Sequence, residues 1–243
     1  MELQICHLYP DVLNLYGDQG NILCLRRRLE ARGITAEITG VSIGQKADLS
    51  RFDLFFIGGG QDFEQEVLLD DLSAGKAADI RAAVEDEKVF LTICGGYQMM
   101  GSHYLTHDGI QCDFIGAVDL YTVGQPQRII GNLMFNCTTE NGGSTVVGFE
   151  NHSGRTYLGP NCAPLGTVLS GYGNNGEDGT EGARYKNVFG SYSHGPILPK
   201  NPEFADFVLR TALNRRYGDV HLAEIDDRFE NAAHNYMTAR LSK

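Results

Sequence analysis

The stretch Val89–Gln98, VFLTICGGYQ, decides the fold. Its first five residues are apolar or β-branched and too short a run for a helix, so Val89–Ile93 reads as a buried core strand. Cys94-Gly95-Gly96 then turns the chain sharply, and a short helix follows through Met100. A strand that breaks through glycines into a helix lifts the residue at the break above the edge of the sheet. This is the cysteine form of a nucleophile elbow. A free thiol with a pKa of about 8.5 is only roughly 3% thiolate at pH 7, so a useful nucleophile needs positive charge nearby. The following helix start and an imidazolium are the two ordinary sources of that charge.

The flanks repeat the strand–helix alternation. Leu3–Leu8 and Ile34–Val41 read as strands around a helix with Asp18 as an N-cap-type residue and Gly33 beyond its end. Ile22, Leu25 and Leu29 fall on one face of that helix, with Arg26, Arg27 and Glu30 turned outward. Asp53–Ile57 (DLFFI) is another buried strand, running into Gly58-Gly59-Gly60. Asp62–Glu87 is acidic, Ala-rich and helical, with a break near Gly75. Downstream, Phe114–Ser170 holds short β-prone runs between Gly, Asn and Pro. Lys186–Ser193 is one more strand, ending at His194 and stopped by Gly195-Pro196. A last helix starts at Asn201 with Pro202 in its first position, its apolar stripe formed by Phe204, Phe207, Val208 and Thr211. The expectation is a single α/β domain over residues 1–243, with a doubly wound, mostly parallel sheet and a mixed or antiparallel extension. In such sheets active sites collect outside the carboxyl ends of the strands, where both Cys94 and His194 fall.

Composition narrows the function. The 243 residues carry 20 Lys and Arg against 31 Asp and Glu, a net charge of -11, so no basic face suits nucleic acid. No run approaches the roughly 20 apolar residues of a membrane span, and Met1–Leu8 lacks the features of a signal peptide. The six cysteines form no CxxC pair, which fits a reducing cytoplasm. No GxxxxGK[ST] is present, so no P-loop site for ATP is expected here. Gly171–Gly176 (GYGNNG) matches GxGxxG by letters, but no helix follows, and it reads as a mobile loop. His103, His107 and Cys112 lack a fourth ligand for zinc, and no metal is expected.

Several segments together resemble class I glutamine amidotransferases: Thr92–Gln98 (TICGGYQ), the Gly58–Gly60 triplet and Ser191–Gly195 (SYSHG). Leu13–Asp18 (LNLYGD), Phe56–Gly60 (FIGGG), Gly148–His152 (GFENH), Gly171–Asn175 (GYGNN) and His194–Lys200 (HGPILPK) more closely resemble the glutaminase subunits of lipid II isoglutaminyl synthases. Cobyric-acid-synthase-type amidotransferase domains are looser relatives. The resemblance implies Cys94 as nucleophile and His194 as its acid and base. It also implies Arg128 and Gln98 as glutamine-binding residues, and Gly60 and Gly95 as the oxyanion hole. It further implies L-glutamine as substrate and a Mur-ligase-like synthetase partner that carries ATP and Mg. That partner would amidate the D-glutamate of the lipid II stem peptide at the inner face of the membrane. Many class I members carry a glutamate two residues after the histidine as its orienter, and here Pro196 stands there. An acid from the partner would then complete the triad and raise kcat, or Asp18 or Glu150 would do so within the chain. A glutaminase for cobyrinic-acid-type amidation and a catalytically silent scaffold of the ligase remain as alternatives.

Overall fold

A computed structural model describes residues 1–60, 68–139 and 142–242. Its first strands are β1 (Glu2–Leu8), β2 (Thr35–Val41), β3 (Leu54–Ile57) and β4 (Val89–Ile93). Strands β5 (His103–Leu105), β6 (Gln111–Asp113), β7 (Leu120–Cys137), β8 (Ser144–Leu158), β9 (Gly166–Ser170) and β10 (Thr180–Glu181) follow. The last two are β11 (Ala183–Tyr185) and β12 (Val188–Ser191). Among the helices are α1 (Gln19–Glu30), α2 (Ala77–Glu85), α3 (Gly95–Met99), α4 (Pro202–Tyr217) and α5 (Arg228–Leu241).

One sheet has the order β11-β12-β4-β3-β1-β2, parallel throughout except for the β11–β12 pair. Every residue of β3 and β4 is buried, as apolar runs covered on both faces must be. The edge strand β2 is largely half-buried or exposed along its length. The expected mixed or antiparallel extension forms a sheet of its own, β10-β9-β7-β5-β6, with β8 paired along β7 and only the β5–β7 pair parallel. One hydrophobic core runs through both sheets, from Phe55, Phe56 and Phe90 to Leu133, Phe135 and Val146. An isolated antiparallel bridge, Phe149 with His194, stitches β8 to the residue just beyond β12. That bridge brings the second sheet against the carboxyl end of the first.

Helix α1 buries Ile22, Leu25 and Leu29 as its spacing demands. Helix α4 begins at Pro202 and buries Phe204, Phe207 and Val208. Of the acidic Ala-rich segment, residues 62–67 lie outside the described residues. The break near Gly75 is present, with Gly75 at φ 126° in a π-turn ahead of α2. The Gly171–Gly176 loop differs from its reading as mobile. Glu150 accepts from the Tyr172 and Gly173 amides at 2.8 and 2.9 Å, and Asn174 and Asn175 are buried. Those bonds hold the loop down, and Gly171 and Gly173 pack closely against Glu150 and the Thr180 main chain. Among the described residues no helix is long and apolar enough to cross a membrane.

Candidate active site

Cys94 sits at the break between β4 and α3 with φ 49° and ψ -106°. A non-glycine residue held at positive φ costs of order 1–3 kcal/mol and persists only where its surroundings fix it. Here the Cys94 amide donates to Ser191 O at 2.8 Å, and Gln98 N donates back to Cys94 O at 2.9 Å. Gly96 N donates to Gly58 O at 3.1 Å, which ties the elbow to the glycine triplet. Helix α3 is only five residues long, so its dipole is a minor source of positive charge.

His194 is fully buried beyond the end of β12, its main chain held by the bridge to Phe149. Glu181 braces the strand before it, accepting from Ser191 Oγ at 2.7 Å and from Tyr192 N at 2.8 Å. Burial pushes that carboxyl up to about 7. The triplet explains how cysteine and histidine come together. A Cβ on Gly59 would fall 2.6 Å from His194 Cε1, 3.1 Å from Asp18 Oδ2 and 3.4 Å from Cys94 Cβ. Gly59 is therefore the point where the three side chains converge, and a larger residue there would displace the imidazole. Sequence reading chose Gly60 from this triplet for the oxyanion hole, beside Gly95. The middle glycine has the separate task of making room.

The third group is Asp18. Its Oδ2 accepts from Gly59 N at 2.7 Å, and both carboxylate oxygens lie 3.4 Å from His194 Nδ1. At that distance the pair is a charge contact more than a tight hydrogen bond. Burial alone would lower the histidine's pKa, but the charges of Cys94 and Asp18 outweigh it and raise His194 to about 10. Nδ1 faces Asp18, which leaves Nε2, partnered by no described nitrogen or oxygen, for the thiol.

Asp18 does not cap α1 through its side chain as the sequence suggested. It is in helical conformation with no capping bond, and Asn14 Oδ1 instead accepts from Gln19 N at 2.8 Å. The carboxylate is thereby free for the site. Pro196, which replaces the usual acid, has a part in this. A Cβ on Gly20 would lie 2.5 Å from Pro196 Cγ, so the proline packs directly on the first turn of α1. Leu198 N also donates to Asn21 Oδ1 at 3.0 Å. The segment after the histidine thus docks the helix start that carries Asp18. Glu150, the other local acid, is spent on the Tyr172 and Gly173 amides and does not face His194.

Gln98 lies one turn beyond Cys94, buried, its Nε2 donating to Tyr192 Oη at 2.9 Å. Arg128 lies outside this cluster, on the exposed rim just before the register shift in β7 resolves at Ile129. It donates from Nε to Asn151 Oδ1 at 2.8 Å and from Nη2 to Asn151 O at 2.9 Å. Asn151 is two residues from Phe149, so the β8 bridge also carries Arg128 toward His194. Tyr16 was missed by sequence reading, although it lies in the quoted LNLYGD segment. Its ring meets His194 edge-on, with centroids 5.0 Å apart.

A doubly wound sheet thus gathers a strained cysteine elbow, a buried histidine and an aspartate at its carboxyl edge. The chain belongs to the CobB/CobQ-like glutamine amidotransferase domain family, whose pattern matches residues 4–202, and it is a glutamine-hydrolysing enzyme of that class. It is 42% identical over 242 residues to the glutamine-hydrolysing lipid II isoglutaminyl synthase subunit GatD of Staphylococcus aureus. That match covers all of this chain and 97% of the relative. The GatD subunit of Streptococcus pneumoniae is also 42% identical, over 93% of this chain and 86% of its own length. A probable cobyric acid synthase of Methanothermobacter thermautotrophicus is 34% identical over 70% of this chain, but only 34% of that protein is covered. Among solved structures, PurLQS from Thermotoga maritima aligns with TM-score 0.61 at 17% identity, over 88% of this chain and 99% of the other. A glutamine amidotransferase from the same organism aligns with TM-score 0.56 at 15% identity, over 99% and 95%.

Proposed function

We propose that the chain is the glutaminase subunit of a lipid II-amidating complex. The observation that carries this reading is the match, over essentially the full length of both chains, to subunits named for that reaction, at 42% identity. The convergence of Cys94, His194 and Asp18 around Gly59 supports the chemistry.

In the proposed reaction the Cys94 thiolate attacks the side-chain amide carbon of glutamine. The developing oxyanion is met by the backbone amides of Gly60 and Gly95. The imidazolium of His194 gives its proton to the departing nitrogen, and ammonia leaves behind a γ-glutamyl thioester. Loss of the thiolate charge at this point removes one of the two supports that hold the His194 proton. The imidazolium is thereby the better proton donor, and the neutral ring it leaves behind is a base able to take a proton from water. Water then attacks the thioester carbon, glutamate leaves, and the thiolate is restored. Asp18 keeps Nδ1 of the ring protonated and the ring oriented through both halves. Arg128 takes the substrate α-carboxylate with its planar fork, and Gln98 contacts the bound glutamine.

Ammonia passes to a Mur-ligase-like partner in the cytoplasm. There ATP and Mg activate the D-glutamate carboxyl of the stem peptide. The test is isotope transfer in the complex of the chain with its copurified synthetase. With amide-¹⁵N glutamine the lipid II product should gain one labelled nitrogen. Cys94→Ser should abolish that transfer yet leave amidation from free ammonium intact. Absence of label in the product of the wild-type complex would overturn the proposal.

A further inference from the structure

Three residues form a connected strip across the mouth of the site, and two of them, Tyr16 and Asn151, have no part in the chemistry above. Tyr16 lies in the short turn Leu15–Gly17 with φ 56° and ψ 27°, a left-handed conformation that a tyrosine adopts only under constraint. Its ring packs edge-on against His194, centroids 5.0 Å apart at 78°, and against Phe149 at 5.8 Å and 79°. Tyr16 is 41% exposed while His194 is 0% exposed, so the tyrosine is the outer cover of the imidazole. Its hydroxyl accepts from Asn151 Nδ2 at 2.5 Å. The same Asn151 accepts from Arg128 twice, through Oδ1 from Nε and through its backbone oxygen from Nη2.

We propose that Asn151 is a positioning residue that locks Arg128 and Tyr16 together, so that one side chain sets both the carboxylate-binding fork and the cover over His194. This deepens the glutaminase reading and rests on it. A guanidinium has five N–H groups in a fixed plane. The Asn151 bonds engage the Nε edge, which fixes that plane and leaves the Nη1 side and the rest of Nη2 to meet a carboxylate. An arginine freed of that anchor regains its rotamers and must be ordered by the substrate itself. At its other end the asparagine amide holds the tyrosine hydroxyl, and through it the strained turn and the ring over His194. Binding of the α-carboxylate and alignment of the acid–base group therefore share a hinge point.

The two ends separate in steady-state kinetics. Tyr16→Phe keeps the ring and loses only the tether, so kcat for ammonia release should fall about three- to tenfold with KM within about twofold. Asn151→Ala should show that same fall in kcat together with a rise of about tenfold in glutamine KM. Combined variants decide the matter. Tyr16→Phe added to Asn151→Ala should lower kcat no further, and Asn151→Ala added to Arg128→Ala should raise KM no further. Independent, multiplying effects in both pairs overturn the lock, as does an Asn151→Ala variant with wild-type kcat and KM. Thermal melting identifies a variant that has lost its fold, and in that case Asn151→Ser provides the same cut with a smaller cavity. Labelling of Cys94 by a glutamine-like electrophile separates the layers. A wild-type chain that neither labels nor releases ammonia sinks the glutaminase reading. A wild-type chain that does both, beside multiplying variants, sinks only the lock.

Discussion

Among the described residues two buried carboxylate–histidine pairs stand out, and they behave in opposite ways. Asp18 and Glu150 are both fully buried, as is His194, with His152 close behind at 2% exposed. Asp18 stands 3.4 Å from His194, and Glu150 stands 3.8 Å from His152. Yet His194 is raised to about 10, whereas burial wins at His152 and lowers it despite Glu150. The difference lies in what else each pair touches. Glu150 accepts two backbone amides of the Gly171–Gly176 loop. His152 is bonded through Nδ1 to Gly154 O at 2.7 Å and stacked flat on Tyr192 at 3.6 Å. His194 has Cys94 as a second charge acting on its ring. A buried histidine near an acid is thus a structural bracket when the acid is committed elsewhere. A second charge facing the ring, as at His194, instead holds its proton, which is what the proposed acid–base role requires.

The sharpest way to break this contrast is to remove the second charge. Cys94→Ser changes one atom, leaves the fold intact, and should abolish ammonia release because serine has no accessible anion near neutral pH. A residual rate above about a tenth of wild type would end the assignment, since loss of acid–base help alone costs ~10²–10⁴-fold. His194→Ala should fall to the same floor, and the double variant no lower, because the two act as one unit.

Next in size is the exchange of one carboxylate for its amide. Asp18→Asn keeps an acceptor for Gly59 N but removes the charge that faces Nδ1. Its kcat should drop about 10- to 100-fold with glutamine KM little changed. Glu150→Gln, by contrast, should keep kcat within about threefold and act on thermal stability through the loop it holds. Comparable losses in both variants would erase the distinction drawn here. The same assay with and without the synthetase partner bears on an acid supplied across the interface. A large rise in kcat on partner binding, with Asp18→Asn harmless, would favour the partner's acid over Asp18.

Much of the first pair was legible in sequence, and the reasons are local. VFLTICGGYQ carries its strand, its turn and the proposed nucleophile within ten neighbouring positions. His194 could be placed at a strand end because Gly195-Pro196 stop the strand beside it. The aspartate was harder. An acid just before an apolar-periodic helix is what an N-cap looks like, and nothing local shows that Asn14 takes that duty instead. Pro196 read as a missing orienter, while its contact with Gly20 spans 176 positions of chain. Glu150 and Asp18 were equal candidates in sequence because the separating facts, two loop amides and one glycine amide, exist only in the folded chain. Arg128 and Asn151 meet across a register shift in the β7–β8 pair, which no spacing rule announces.

Arg128 offers a smaller effect confined to binding. Arg128→Ala should raise glutamine KM with a modest change in kcat, because the α-carboxylate is bound alike in ground and transition states. Arg128→Lys should not restore it fully, since an ammonium cannot keep the paired bonds to Asn151 and offer a fork to the substrate. An unchanged KM in the alanine variant would remove Arg128 from the site.

The smallest effect is on stability, and it tests the contrast with no substrate at all. His194 is raised from its ordinary 6.5 to about 10, so the folded chain holds this proton more tightly than the unfolded one. Its contribution is fully present below pH 6.5 and is lost as pH rises toward about 10. His152 is lowered from 6.5, so it contributes above that pH and loses its contribution as pH falls below it. Melting curves of wild type, His194→Gln and His152→Gln between pH 5 and 10 should therefore diverge in opposite senses. The deficit of His194→Gln should shrink toward alkaline pH, and that of His152→Gln should shrink toward acid pH. Shifts of about 2–4 °C are the scale for 1 kcal/mol in a chain of this size. Deficits that stay flat, or move the same way in both variants, would show that the two histidines do not hold their protons differently, and the contrast between bracket and acid–base group would fail with them.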